Sequence, residues 1–166
     1  MRVQQHRRTG FYPVCERDHM EPLQMLRGCI ELLYFCDIRF GPRGADGLRE
    51  IRAQVAEQGL PEPSFILGDA LSALECLRPV DVFFQRRDSP GEGGSGLFLL
   101  GAERLPLVLH AIKPGGLIVT DGRYVGGWHG ALVEQNRPMH QVGDRTIRLS
   151  GEQPWLDAGL RAFRVD

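Results

Sequence analysis

Three apolar runs in this chain end in an acid. Residues 29–35 read Cys-Ile-Glu-Leu-Leu-Tyr-Phe, and Asp37 follows. Phe65-Ile66-Leu67-Gly68-Asp69-Ala70 has the same form. Ile112-Lys113-Pro114-Gly115-Gly116-Leu117-Ile118-Val119-Thr120-Asp121-Gly122 has it again, behind a tight Gly-Gly turn. Open parallel sheets bind ligands outside the carboxyl ends of their strands, so acids at strand tips sit where a ligand would come. A carboxylate there can accept two hydrogen bonds from a diol, serve as a base or ligate a metal. Asp37 and Asp69 read equally well as N-caps of the helices that follow, since Asp is a good cap. For Asp121 the turn reading is favoured, because Asp-Gly is a common turn dipeptide.

The cluster Arg86-Arg87-Asp88, with glycines after it, offers planar guanidinium forks that suit a phosphate or carboxylate. A solvated loop with an internal Arg–Asp pair explains it as well. The glycine run after it lacks a Lys-Ser/Thr ending and is no P-loop. The dispersed histidines show no H-E-x-x-H spacing. His129, beside Trp128, is the best acid–base candidate among them, against the plainer reading of a surface-loop histidine. No Ser-His-Asp arrangement can be built, because Ser89 and Ser95 lack a nucleophile-elbow context. Cys15, Cys29, Cys36 and Cys76 form no C-x-x-C pair, which argues against a zinc ribbon and for free thiols in a reducing, cytoplasmic setting. No metal site is expected.

The 166 residues carry a formal net charge of -1 and 42% hydrophobic residues. That length fits one domain with a real core. The charge gives no electrostatic case for nucleic acid or an anionic membrane, and no apolar run is long enough to span a bilayer. A small-molecule ligand and contacts between copies of the chain stay open; an apolar patch on the 97–112 helix would point to the latter.

The elements that must position these residues can be read from periodicity. Residues 1–10 are polar and basic and read as a loose arm. Strands are expected at 11–16, 29–35, 64–67, 80–84 and 117–120, with closing strands at 139–142, 146–149 and 160–165. Helices are expected at 21–27, from 45 or 46 to about 58, at 70–77 and at 97–112. In the last of these, Pro106 either kinks the helix or marks its true first turn. Alternating strands and helices argue for an α/β sheet.

Residues 29–122 resemble the class I S-adenosylmethionine-dependent methyltransferases. The Gly68-Asp69-Ala70 motif, the Pro114-Gly115-Gly116 turn and the acid at position 37 carry the resemblance. It implies a three-layer, Rossmann-like sandwich with a mostly parallel sheet and an antiparallel C-terminal edge. It further implies S-adenosylmethionine as cofactor, with Asp37 on the ribose, Gly68, Asp69 and Ala70 at the adenine, and Glu16 near the acid that follows strand 1. Spacing from Val80 to Phe98 is similar to the spermidine synthase branch, where Arg86, Arg87 and Asp88 fall in the substrate loop. Asp121 matches an acid of the small-molecule O-methyltransferase branch. Arg86 stands where either branch has its first acid, and an arginine can neither ligate a divalent cation nor take a proton.

The first loop departs from the family. Instead of Gly-x-Gly-x-Gly it reads Arg17-Asp18-His19-Met20-Glu21-Pro22. Two functions are therefore expected as alternatives. One is a methyltransferase-like protein that binds its cofactor atypically, with Asp121 or His129 as weak catalytic candidates. The other is an inactive binding or assembly module of the same fold. A crevice lined by Asp37 and Asp69 fits the first; Arg17, His19 and Met20 filling it fits the second.

Overall fold

The computed structural model describes residues 7–40, 44–86, 99–121 and 139–166. In chain order the elements are β1 (Thr9–Pro13), α1 (Met20–Met25), β2 (Leu32–Asp37), α2 (Gly44–Gln58), β3 (Glu62–Leu67), α3 (Ala70–Leu77) and β4 (Val80–Gln85). Then come α4 (Leu105–Ala111), β5 (Ile112–Thr120), β6 (Met139–Val142), β7 (Arg145–Ser150), α5 (Gln153–Asp157) and β8 (Arg161–Val165). One sheet holds all eight strands in the order β3-β2-β1-β4-β5-β8-β7-β6. The first five pair in parallel. β8 runs antiparallel to β5, and β7 and β6 continue antiparallel from it.

Strands covered on both faces need apolar residues in both registers, which explains the near-unbroken apolar run of β2. Its Leu33 and Phe35 face one layer of helices and Cys36 the other. On one side Phe11, Phe83 and Ile118 pack against Leu74 of α3 and Leu105 and Val108 of α4. On the other side Tyr12, Phe35, Phe84 and Val119 pack against Leu23 of α1, Val55 of α2 and Trp155 of α5. The result is the expected three-layer α/β sandwich with an antiparallel C-terminal edge.

Several bounds move, for local reasons. α4 begins at Leu105, with Pro106 in its first turn, where a missing N–H costs nothing. β3 includes Pro63, tolerated because β3 is an edge strand. The Gly-Gly turn sits inside β5. Gly115 has φ 78°, and a Cβ on Gly116 would lie 2.8 Å from the Asp81 carbonyl and 2.9 Å from that of Lys113. Of the stretch expected as a loose arm, residues 1–6 lie outside the described residues and residues 7–10 are held. Thr9 and Gly10 already belong to β1, and Arg7 pairs with Glu62 at 2.5 Å. On α4 Leu107 is exposed, while residues 97 and 98 of the expected helix lie outside the described residues. Among the described residues no helix is long and apolar enough to cross a membrane.

Candidate functional site at the carboxyl ends of β1, β2 and β4

β1 has β2 on one side and β4 on the other, so the strand order reverses between β1 and β4. In open α/β sheets the ligand crevice lies outside such a switch point. Here the loop leaving β1 crosses that crevice. Val14 (φ 51°) and Glu16 (φ 47°) both adopt the left-handed conformation that glycine would take at no cost. For a β-branched valine this is unusual, and the surrounding hydrogen bonds hold it. Val14 N–H donates to the Cys36 carbonyl at 2.7 Å, Glu16 N–H to Asp37 Oδ2 at 2.8 Å, and Asp18 N–H to the Cys15 carbonyl at 2.8 Å.

Asp37 is only 4% exposed. Its second oxygen, Oδ1, accepts from the Arg39 N–H at 2.8 Å. The carboxylate thus ties the loop after β1 to the turn after β2, with each oxygen aimed at a backbone amide. Glu16 points away from this contact and pairs with Arg39 at the surface.

Arg86, one residue past the end of β4, is 6% exposed. Its Nε and Nη2 donate to the two oxygens of Asp18 at 2.6 and 2.7 Å, and Nη2 also reaches Glu21. The Tyr12 hydroxyl donates to Asp18 Oδ2 at 2.8 Å, with the Arg86 carbonyl at 3.2 Å. Burial pulls the Arg86 pKa down, but the two carboxylates outweigh it and hold it above its ordinary value. Burial, then the Asp18 charge, pushes the Tyr12 hydroxyl far up, so it stays a donor.

His19 lies beside this network in an aromatic cage. Its ring centre is 5.1 Å from Phe35, 5.3 Å from Phe65 and 5.8 Å from Phe40. Its Nε2 is buried with no hydrogen-bond partner, and burial lowers its pKa. Met20 packs on the same core, whereas Arg17 is exposed.

At the tip of β3, Asp69 is exposed and caps α3, accepting the Ser72 N–H at 2.8 Å; that bond holds its carboxyl below the usual range. Gly68 donates its N–H to the Asp37 carbonyl at 3.4 Å, and Ala70 is buried in the first turn of α3. Ile38 (74% exposed) and Leu67 (63% exposed) leave an apolar surface at the β2 and β3 tips. Asp121 is half-buried past the end of β5. Arg87, Asp88 and His129 lie outside the described residues.

The candidates therefore separate. Asp37, Glu16, Gly68 and Arg86 come together around the first loop, whereas Asp69 faces outward. Burial raises the Cys15 thiol and pushes Cys36 up to about 11, so neither is a ready nucleophile. No cluster of three or more metal-ligating side chains occurs among the described residues. Tyr12, Asp18 and Glu21 are the site residues that sequence reasoning missed. Their partner Arg86 is 65 to 74 positions away, beyond any local pattern.

No family model matches the sequence, and neither does any curated protein. Solved structures do match. Spermidine synthase from Thermotoga maritima superposes with a TM-score of 0.51 at 11% identity, over 97% of this chain and 54% of that one. The chain thus spans about half the length of that enzyme. A candidate methyltransferase from Streptococcus mutans in complex with SAH gives 0.52 at 12% identity, over 96% and 88%. An rRNA methylase from Streptococcus thermophilus gives 0.51 at 12% identity, over 96% and 87%. Identities this low speak for the fold alone. With the strand order and the antiparallel edge, they establish that this chain has the class I S-adenosylmethionine-dependent methyltransferase fold.

Proposed function

We propose that this chain is a methyltransferase-fold binding or assembly module that does not use S-adenosylmethionine. The observation that carries the reading is the Arg86–Asp18 pair at the switch point, with side chains 5% and 11% exposed, joined from the solvent side by Glu21. The cofactor needs a passage past the first loop and a carboxylate free to take its ribose. The first loop is bulky and pinned. The Asp37 oxygens face the Glu16 and Arg39 amides, and the residue is nearly closed to solvent. The residues present do not fit the cofactor, and no methyl-transfer step is derived from them.

Calorimetric titration with S-adenosylmethionine and S-adenosylhomocysteine tests this. No heat and no thermal shift at millimolar ligand is the expected result. Micromolar binding that Asp37→Ala abolishes would overturn it. The second reading, an atypical cofactor binder, draws on exposed Ile38 and Leu67 beside Asp69. There an adenine ring would meet an apolar surface and a carboxylate, and the same titration separates the two readings.

A further inference from the structure

We propose that β3 is a docking edge for a second copy of this chain, joined antiparallel about a two-fold axis at Ile66. This names the partner of the assembly module and rests on that reading.

β3 ends the sheet, with β2 on its one paired side. In a parallel pair, alternate residues direct their backbone groups to the neighbour. The Glu62 amide donates to the Glu31 carbonyl and the Gly68 amide to that of Asp37, so the even-numbered residues bond inward. Phe65 and Leu67 therefore direct their N–H and C=O off the sheet, where no described group meets them. Natural edges are blunted by charge or proline. Here Glu62 and Pro63 blunt only the start of the strand, and Ser64-Phe65-Ile66-Leu67 carries neither. Leu67, the last residue of β3, is largely exposed.

That edge is self-complementary. With the axis at Ile66, Phe65 lies opposite the partner's Leu67 and the two exchange both backbone bonds; symmetry repeats the exchange across the axis. Each outward amide and carbonyl of residues 65 and 67 then has a partner. Moving the axis to Phe65 sets Leu67 against the partner's Pro63, which has no N–H, and buries the Leu67 carbonyl unpaired. In the Ile66 register, directly opposite residues share a face, so Leu67 meets the partner's Phe65. Charge selects the same arrangement. Arg7 is held on Glu62 at the start of β3, and the exposed Asp69 stands just past its end. Antiparallel pairing sets Arg7 between Glu62 and the partner's Asp69 at both ends of the seam, whereas a parallel copy would set Asp69 beside Asp69.

Sedimentation equilibrium tests the proposal on the full chain and two variants. Leu67→Pro removes an outward N–H that makes no bond within the chain, and Leu67→Lys places a charge opposite the partner's Phe65. The unaltered protein is expected to be a dimer at tens of micromolar, and both variants to be monomers with the circular dichroism of the folded chain. A monomeric unaltered protein sinks the proposal, and so does a dimer that both variants leave intact. Should Leu67→Pro not fold, Leu67→Lys alone decides. The register is tested by mild oxidation in a Cys76→Ser background, which removes the exposed thiol. Ile66→Cys brings two Cα atoms to about 4.5 Å across the axis, within disulfide range. Ser64→Cys lies four positions from its own copy, about 14 Å away. Cross-linking of Ile66→Cys alone is expected, and any other pattern overturns the register. Sedimentation reads the β3 edge and calorimetry with S-adenosylmethionine reads the crevice, so the two readings fail separately.

Discussion

Replacing Asp37 separates a structural carboxylate from a ligand-binding one. In the folded chain its two oxygens accept the Glu16 and Arg39 amides, each at 2.8 Å, and 4% of the residue is exposed. A hydrogen bond to a charged group contributes about 1.5–3 kcal/mol, and a buried donor left without its partner bears its full desolvation cost. Asp37→Ala removes two such bonds, a loss of roughly 3–5 kcal/mol after some water reaches the amides. With a urea slope of about 2 kcal/mol per M, the unfolding midpoint falls by roughly 2 M. Asp37→Asn keeps one acceptor oxygen but turns an NH2 toward an amide donor, so it falls between Ala and the unaltered protein. Urea unfolding followed by circular dichroism, with the slope checked for constancy, measures both variants. An Asp37→Ala midpoint within about 0.5 M of the unaltered protein, equivalent to about 1 kcal/mol, would refute the reasoning and return Asp37 to the pool of ligand acceptors.

Two other sites give independent tests. Burial lowers the His19 pKa below the ordinary 6.5, so between the two values the unfolded chain binds more protons than the folded one. Stability from neutral His19 is complete above the unfolded pKa and is lost as pH falls through the folded value. His19→Phe, which keeps a ring among Phe35, Phe40 and Phe65, should flatten that loss when melting temperature is followed downward from neutral pH; an unchanged pH profile would count against it. Gly116→Ala sets a methyl against the Asp81 and Lys113 carbonyls and the Ile112 side chain, and should cost about 1–3 kcal/mol in chemical unfolding. A neutral outcome there would mean that the Gly-Gly turn within β5 yields more easily than its contacts indicate.

Much of the scaffold was legible because its signals are local. Periodicity located α3 at the residues observed and α2 to within one or two positions. The apolar runs located the central strands, though β2 and β3 each extend differently from the expected bounds. α5 carried no comparable signal and was missed: it is only five residues long, and Trp155 packs on the far-side core. At the site, the N-cap alternative for Asp69 matches the Ser72 bond. The left-handed Val14 and Glu16 had no glycine to announce them, since the Asp37 bond that helps to hold the loop comes from across the sheet.

The sequence by itself determined the α/β layering, the Gly-Gly turn into β5 and the acids at the strand tips, all set by side-chain periodicity and backbone freedom within a few residues. Only the tertiary structure decided what those acids do. Asp37 became a loop staple, and Asp18 and Glu21 became the partners of Arg86, because a buried charge must find its counter-charge wherever packing brings one within reach.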